Sequence, residues 1–464
     1  MDKNKTMALD MTEGNVTSLL IRYAIPFVFA NLLQLVYNLV DTVIVGQFVG
    51  PEGITGVSLA GQITTMCTAL TMGIVTGAQI MIAQYIGARK HEDVNYTMGT
   101  MVLYGGGIAV LMSVLGILTR RWGLELIGTP PEAMSEDLNY ETIIFVGLVF
   151  NCGYMTASAI LRGMGDSRRP FVFIAIASCC NVALDLLFVG VFKMQAAGAA
   201  LATVLSYVIS FVFAVVYIYR HRASFGLDFK LKYFRIRWDL CKVMTKLGLP
   251  LAIQWIIVSV STLYVQSLVN VYGLYASTAA AVGGKAGQMA NTISMAMGSS
   301  CSTMVGQNIA ARKFDRVKKG VNTALVINLV WMGLCIVLLE LFPVQFVRIF
   351  NNDPTVIEIA TVYLRIVSLS FIPHAAYMVY NGVILGVGNS MLNMVNSILE
   401  GVVLKVTLSL LFGTVLGLGL NGVFIGNALA PLGALITSTV YYYSGMWERR
   451  KVIAQRDEPE EKNT

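Results

Sequence analysis

About twelve apolar stretches of 20 or more residues follow one another along this chain. A helix of about 20 residues crosses the hydrocarbon core of a bilayer. Inside that core each backbone N–H and C=O must be bonded within the protein, which leaves helices or closed barrels. Stretches this long and this apolar select helices, so the chain reads as an all-α polytopic membrane protein. The spans fall at 17–47, 54–84, 95–118, 138–163, 168–190, 195–219, 243–270, 277–308, 319–342, 358–385, 391–415 and 419–446. Several exceed the length needed to cross and are expected to tilt, bend or protrude. Only 13% of the 464 residues are charged, against roughly 25% in soluble domains. Nothing outside the spans is long enough for a soluble domain. Residues 1–15 are polar and lack the order of a signal peptide, so the first span is expected to serve as an uncleaved insertion signal.

Basic residues orient the chain, because short cytoplasmic loops carry an excess of Lys and Arg. With the N-terminus inside, the inner loops hold Arg89, Lys90, Arg162, Arg168, Arg169, Arg312, Lys313, Arg316, Lys318 and Lys319. The longest inner loop, 220–242, adds seven more basic residues, and the C-terminal tail adds Arg449, Arg450 and Lys451. The outer loops offer Arg120, Arg121, Lys193 and Arg348. Both termini are therefore expected in the cytoplasm of a cell-membrane protein. Topology and anionic lipid account for the net charge of +7 without nucleic acid. The seven cysteines show no metal spacing and read as small packing residues.

The chain repeats itself at an offset of 223 residues. Gln84-Tyr-Ile-Gly-Ala-Arg-Lys matches Gln307-Asn-Ile-Ala-Ala-Arg-Lys, Tyr140 matches Tyr363, and Gly163-Met-Gly-Asp-Ser matches Gly386-Val-Gly-Asn-Ser. One residue of drift later, Asp185-Leu-Leu-Phe matches Ser409-Leu-Leu-Phe. Each repeat holds six spans, an even number, so the two have the same orientation and are related about an axis along the membrane normal. The expected division is an N-terminal lobe at 1–219, a basic linker at 220–242, and a C-terminal lobe with its tail at 243–464. A cleft between two such bundles is the natural place for a substrate.

Two aspartates stand out inside the spans of the first repeat, Asp41 and Asp185. An ionisable residue in a span costs several kcal/mol and by default marks an ion or proton pathway. Asn181 shares a helical face with Asp185, and Thr203 lies on the sixth span. Two carboxylates, an amide oxygen and a hydroxyl suit Na⁺. A close carboxylate pair equally suits a proton. Gln34, Asn38 and Asp41 follow three-to-four spacing on span one, with Tyr37 among them. With Tyr154 and Ser206 they read as candidate substrate contacts. Pro26, inside span one, can kink that helix.

Two six-helix repeats, Pro26 followed by Asp41, the Val305-Gly-Gln-Asn sequence, and Asn181-Val-Ala-Leu-Asp185-Leu-Leu-Phe together resemble the MATE family (multidrug and toxic compound extrusion) over roughly residues 16–446. The resemblance implies two six-helix lobes around a central cavity, and export of small organic, mostly cationic, compounds by alternating access as H⁺ or Na⁺ enters. It implies no cofactor beyond the transported ion, and a monomer in membrane lipid is expected to suffice. The family's first-lobe cation site has Asp, Asn, Asp and Thr at places corresponding to Asp41, Asn181, Asp185 and Thr203. A flippase for lipid-linked oligosaccharides, from the same wider superfamily, is the alternative, although those commonly have about fourteen spans.

The second repeat lacks these acids: Asp41 aligns with Tyr264 or Val265, Asp185 with Ser409, and Thr203 with Asn427. Instead Lys285, Arg365, Glu400 and Lys405 read as buried. Glu400 and Lys405 are about 140° apart around an α-helix, so each is expected to find partners on other helices. They read either as ion pairs between helices or as a polar wall or relay. Arg162-Gly-Met-Gly-Asp-Ser-Arg-Arg reads as a tight inner turn. No phosphate-binding loop and no hydrolase motif occurs, so neither ATP-driven pumping nor an enzyme is expected.

Overall fold

The computed structural model describes residues 9–48, 51–126, 129 and 134–455. Its helices are α1 (Val16–Phe48), α2 (Pro51–Gly87), α3 (His91–Leu126), α4 (Met134–Gly163), α5 (Arg168–Asp185), α6 (Gln195–Arg220), α7 (Trp238–Asn270), α8 (Leu274–Ala310), α9 (Phe314–Leu341), α10 (Pro343–Arg348), α11 (Pro354–Ser368), α12 (Phe371–Gly386), α13 (Ser390–Ile398), α14 (Thr407–Leu410), α15 (Gly419–Leu429) and α16 (Pro431–Tyr443). No strand occurs among the described residues. Ten helical stretches are long and apolar enough to cross a membrane, and the bent pair α11–α12 makes an eleventh. α8 has 37 residues, ample for a twelfth, with Lys285 and many Gly, Ser and Thr lowering its apolarity.

Four of the expected spans are not regular α-helices. The twelfth breaks at Ala430, ahead of Pro431, between α15 and α16. The stretch 358–385 bends by 45° between α11 and α12. Pro373 follows the break, and its ring crowds the carbonyl four residues back while offering no N–H. The fifth span widens after Asp185 into a π-helical turn, Leu186–Val191. The eleventh widens twice, at Leu399–Val406 and at Leu411–Val415, the second of these matching Leu186–Val191 in the repeat. Such wide turns occur mostly at functional positions in helices.

The chain forms two compact units, one of residues 9–10 and 25–252 and one of residues 11–24 and 253–455. The cuts fall inside α1 and α7, close to Pro26 and Pro250, and both helices run unbroken through these prolines. In the first unit α4 packs on α6, α2 and α3, and α5 packs on α6. Glycines let backbones approach: a Cβ on Gly248 of α7 would lie 2.5 Å from Ile74 Cα of α2. The 220–242 stretch belongs to this unit too. Asn95 Oδ1 accepts from the Asp228 backbone N–H at 2.8 Å, and Thr100 Oγ1 donates to the Arg235 carbonyl at 3.1 Å. Gly165, at φ 88°, makes the tight turn between α4 and α5, and Asp166 Oδ1 accepts from the backbone N–H groups of Arg168 and Arg169.

In the second unit α8 packs on α12, α11 and α9, and α12 on α16. The Gln307-Asn308 pair has a structural task there. Gln307 Oε1 accepts from the Met11 backbone N–H at 2.9 Å, and Asn308 Nδ2 donates to the Met11 carbonyl at 3.0 Å. Arg316 donates to the carbonyls of Met11, Glu13 and Gly14, which fixes the segment leading into α1.

Candidate cation-coupling site

All four residues of the expected cation site lie in the first unit, at the junction of α1, α5 and α6. Asn181 and Asp185, one turn apart on α5, are wholly buried. Asp185 is the last residue before the π-helical turn, and Val189 of that turn packs with Ile44 of α1 and Ala199 of α6. The Asn181 amide nitrogen donates to Asp185 Oδ2 at 2.8 Å, and its oxygen accepts from the Thr203 backbone N–H at 3.3 Å. Asp41 comes from α1, and its carboxyl is hydrogen-bonded to that of Asp185. An ionised carboxylate only accepts hydrogen bonds, so two carboxyls this close are suited to sharing one proton. Asp41 Oδ1 and Asp185 Oδ1 remain buried and without a hydrogen-bond partner.

Aromatic hydroxyls surround the pair. Tyr37 is hydrogen-bonded to the Thr203 side chain and lies within electrostatic reach of Asp41. Tyr140 of α4 is within reach of both Asp41 and Asp185, and Tyr207 of α6 within reach of Asp41. Neither Tyr140 nor Tyr207 figures in the site read from the sequence. Tyr140 is visible there only as a marker of the repeat, through its match with Tyr363. In the second unit Tyr363 packs edge-on against Phe424, with ring centroids 4.7 Å apart, and Ser409 is bonded to the Val423 carbonyl.

Among the described side chains of the expected substrate contacts, Tyr37 is within electrostatic reach of Asp41. Gln34 is exposed, and the Asn38 side chain lies outside the described residues. The Tyr154 hydroxyl donates to the Pro170 carbonyl at 2.9 Å. It stands fourteen residues beyond Tyr140 on α4, about 21 Å along the axis. Ser206 turns its hydroxyl onto the Ala202 carbonyl of its own helix.

The basic residues of the second repeat need correction. Lys285 and Arg365 are exposed rather than buried, and Arg365 is paired loosely with Glu340 at 3.8 Å. Glu400 and Lys405 are half-buried and attract each other. The 140° separation expected for them assumes an α-helix, but both lie in the π-helical turn Leu399–Val406, where i→i+5 bonding brings such positions into line. His374 is within reach of Lys405, and Tyr377 of Glu400.

The model of the MatE family matches this chain twice, over residues 26–187 and 250–411. The chain belongs to the MatE family. The two matches are the two repeats, and the family is one of transporters, not of enzymes. Among relatives, "Probable multidrug resistance protein YoeA" of Bacillus subtilis is 28% identical over 93% of this chain and 94% of its own. "Probable multidrug resistance protein NorM" of Thermotoga maritima is 25% identical over 94% of each. Among solved structures, an outward-facing multidrug resistance MATE family transporter of the MOP superfamily superposes with a TM-score of 0.90 at 20% identity, covering 97% of this chain and all of the other. A MATE structure in a bent conformation gives 0.89 at 21% identity, over 96% and 98%. At such identities these likenesses establish the fold. A multi-pass membrane transporter with two parallel six-helix repeats follows.

Proposed function

We propose that this protein exports small organic compounds in exchange for protons, with Asp41 and Asp185 as the coupling pair. Export of several compounds is supported by the names of its relatives, which are multidrug resistance proteins. The ion is argued from the approach of the two carboxyls to one another, an arrangement that one shared proton would satisfy. Asn181 turns its nitrogen, not its oxygen, toward Asp185, and Thr203 is engaged by Tyr37. A shared proton satisfies this arrangement. The cycle then runs on competition: a proton neutralises the pair as substrate leaves, and its loss to the cytoplasm restores a charge that attracts the next cation. The excess of Lys and Arg in the 220–242 loop and tail supports cytoplasmic termini, so that proton entry carries substrate outward.

The test is uptake of a fluorescent organic cation into everted vesicles under separately imposed gradients. A pH gradient without Na⁺ should drive uptake. Uptake that needs Na⁺ with the pH gradient clamped at zero would overturn the proton assignment.

A further inference from the structure

Glu141 is a third membrane-embedded acid of the first unit, on α4 next to Tyr140, and is wholly buried. Neither of its carboxylate oxygens has a hydrogen-bond partner. Asp137, one turn toward the start of α4, is also buried, and its Oδ2 is likewise unpartnered. The two share a helix face and interact. The titratable groups facing Glu141 are Asp137 and Tyr140 on its own helix and Cys67 from α2. No basic side chain among the described residues acts on it. An unpaired buried charge is among the costliest groups a protein can hold.

The repeat shows that packing does not call for acids here. At the offset of 223 residues, Asp137 corresponds to Ala360, Glu141 to Leu364 and Cys67 to Ala290. All three counterparts sit together in one apolar cluster of the second unit. The same architectural position is therefore filled by plain hydrocarbon in one repeat and by two carboxyls in the other, the repeat that also holds the Asp41–Asp185 pair. Tyr140 links the two sets, being within electrostatic reach of Glu141, Asp41 and Asp185 alike. Its hydroxyl can accept a proton from one side while donating on the other.

We propose that Asp137 and Glu141 form a proton relay that supplies the Asp41–Asp185 pair through Tyr140. Resting on the proton-coupled reading above, the relay takes a proton from water at the Met134 end of α4, onto Asp137. It passes to Glu141 across a bridging water, since neither Glu141 oxygen has a hydrogen-bond partner, one O–H bond breaking as the next forms. Through water and the Tyr140 hydroxyl it reaches Asp41–Asp185, leaving Glu141 to be reprotonated from Asp137. These are positioning and transfer groups, and none of them is asked to touch substrate.

The experiment is proton-driven export in proteoliposomes by wild type, Glu141→Gln, Glu141→Asp and Asp41→Asn. Glu141→Gln should lower the maximal rate about tenfold or more with the substrate KM unchanged, and should flatten its pH dependence. Glu141→Asp should restore much of the rate, because an acid returns. Glu141→Leu, which introduces the residue of the second repeat, keeps the test open should the Gln variant fold poorly, and should behave as Gln does. Wild-type rates in both the Gln and Leu variants, with Asp41→Asn inactive, would overturn the relay and leave the coupling pair standing. A loss not rescued by Asp, or one accompanied by a raised KM, would mark a packing role and overturn it as well. Normal export by Asp41→Asn would remove the reading beneath it.

Discussion

Asp41 and Asp185 do something that neither could do alone. Each is a carboxyl in a span, and in the proposed cycle they hold one proton between them while the Asn181 amide donates to Asp185. On that proposal, removing either carboxyl removes the site at which the proton and a cationic substrate exclude one another. Asp41→Asn and Asp185→Asn should each reduce gradient-driven export to background while the protein still inserts, as measured by transport normalised to protein in the membrane. Thr203→Val should change export less than about twofold, since the hydroxyl is bonded to Tyr37 and is not the titrating group. A large rise in the Na⁺ requirement of Thr203→Val would instead point to a metal ligand. The aspartates were legible in the sequence because a charge in an apolar run stands out at once. Glu141 was not, because an acid near the start of a span reads as lying at the membrane surface. Only burial and the lack of a partner distinguish it. Tyr37, Tyr140 and Tyr207 were hard to see as a ring because they come from three different helices.

At the scale of the helix, the positions that matter are those where regular geometry gives way. The π-helical turn after Asp185 follows the acid directly, and Pro373 accounts for the bend between α11 and α12. None of the three wide turns was legible, since π-bonding leaves no composition signature and Glu400–Lys405 at spacing five argued against a pair in an α-helix. Helix contacts are made by glycine. A Cβ on Gly382 of α12 would come within 2.6 Å of the Gly298 carbonyl on α8, and one on Gly248 within 2.5 Å of Ile74 Cα. Backbone cannot move aside as a side chain can. Gly382→Ala and Gly248→Ala should each cost about 1–3 kcal/mol and lower the melting temperature in detergent by several degrees. An unchanged melting temperature for both would show that these helices separate freely. By contrast, Gly284→Ala, where an added Cβ meets nothing within 4 Å, should leave it unaltered.

For the whole molecule, the twofold repeat explains why so much of the fold could be read in advance. Runs such as Gln-x-Ile-x-Ala-Arg-Lys recur in register, and six spans per repeat fix a parallel arrangement. What the repeat conceals is the exchange at its ends. Residues 11–24 group with the second repeat, through Gln307, Asn308 and Arg316, and residues 226–235 bond to α3 of the first. A cysteine placed at exposed Lys230 should be labelled only after the membrane is made permeable, in keeping with a cytoplasmic 220–242 loop. The asymmetry of chemistry across this repeated chain, with acids in one unit and uncharged residues at the same places in the other, supports the coupling account. The most direct measurement is proton release when an organic cation binds the purified protein in weakly buffered, Na⁺-free detergent solution. Near neutral pH the wild type should release about one proton per substrate bound, and Asp41→Asn and Asp185→Asn should release none. Binding without proton release by the wild type, or release undiminished in both variants, would contradict the shared proton as the coupling ion.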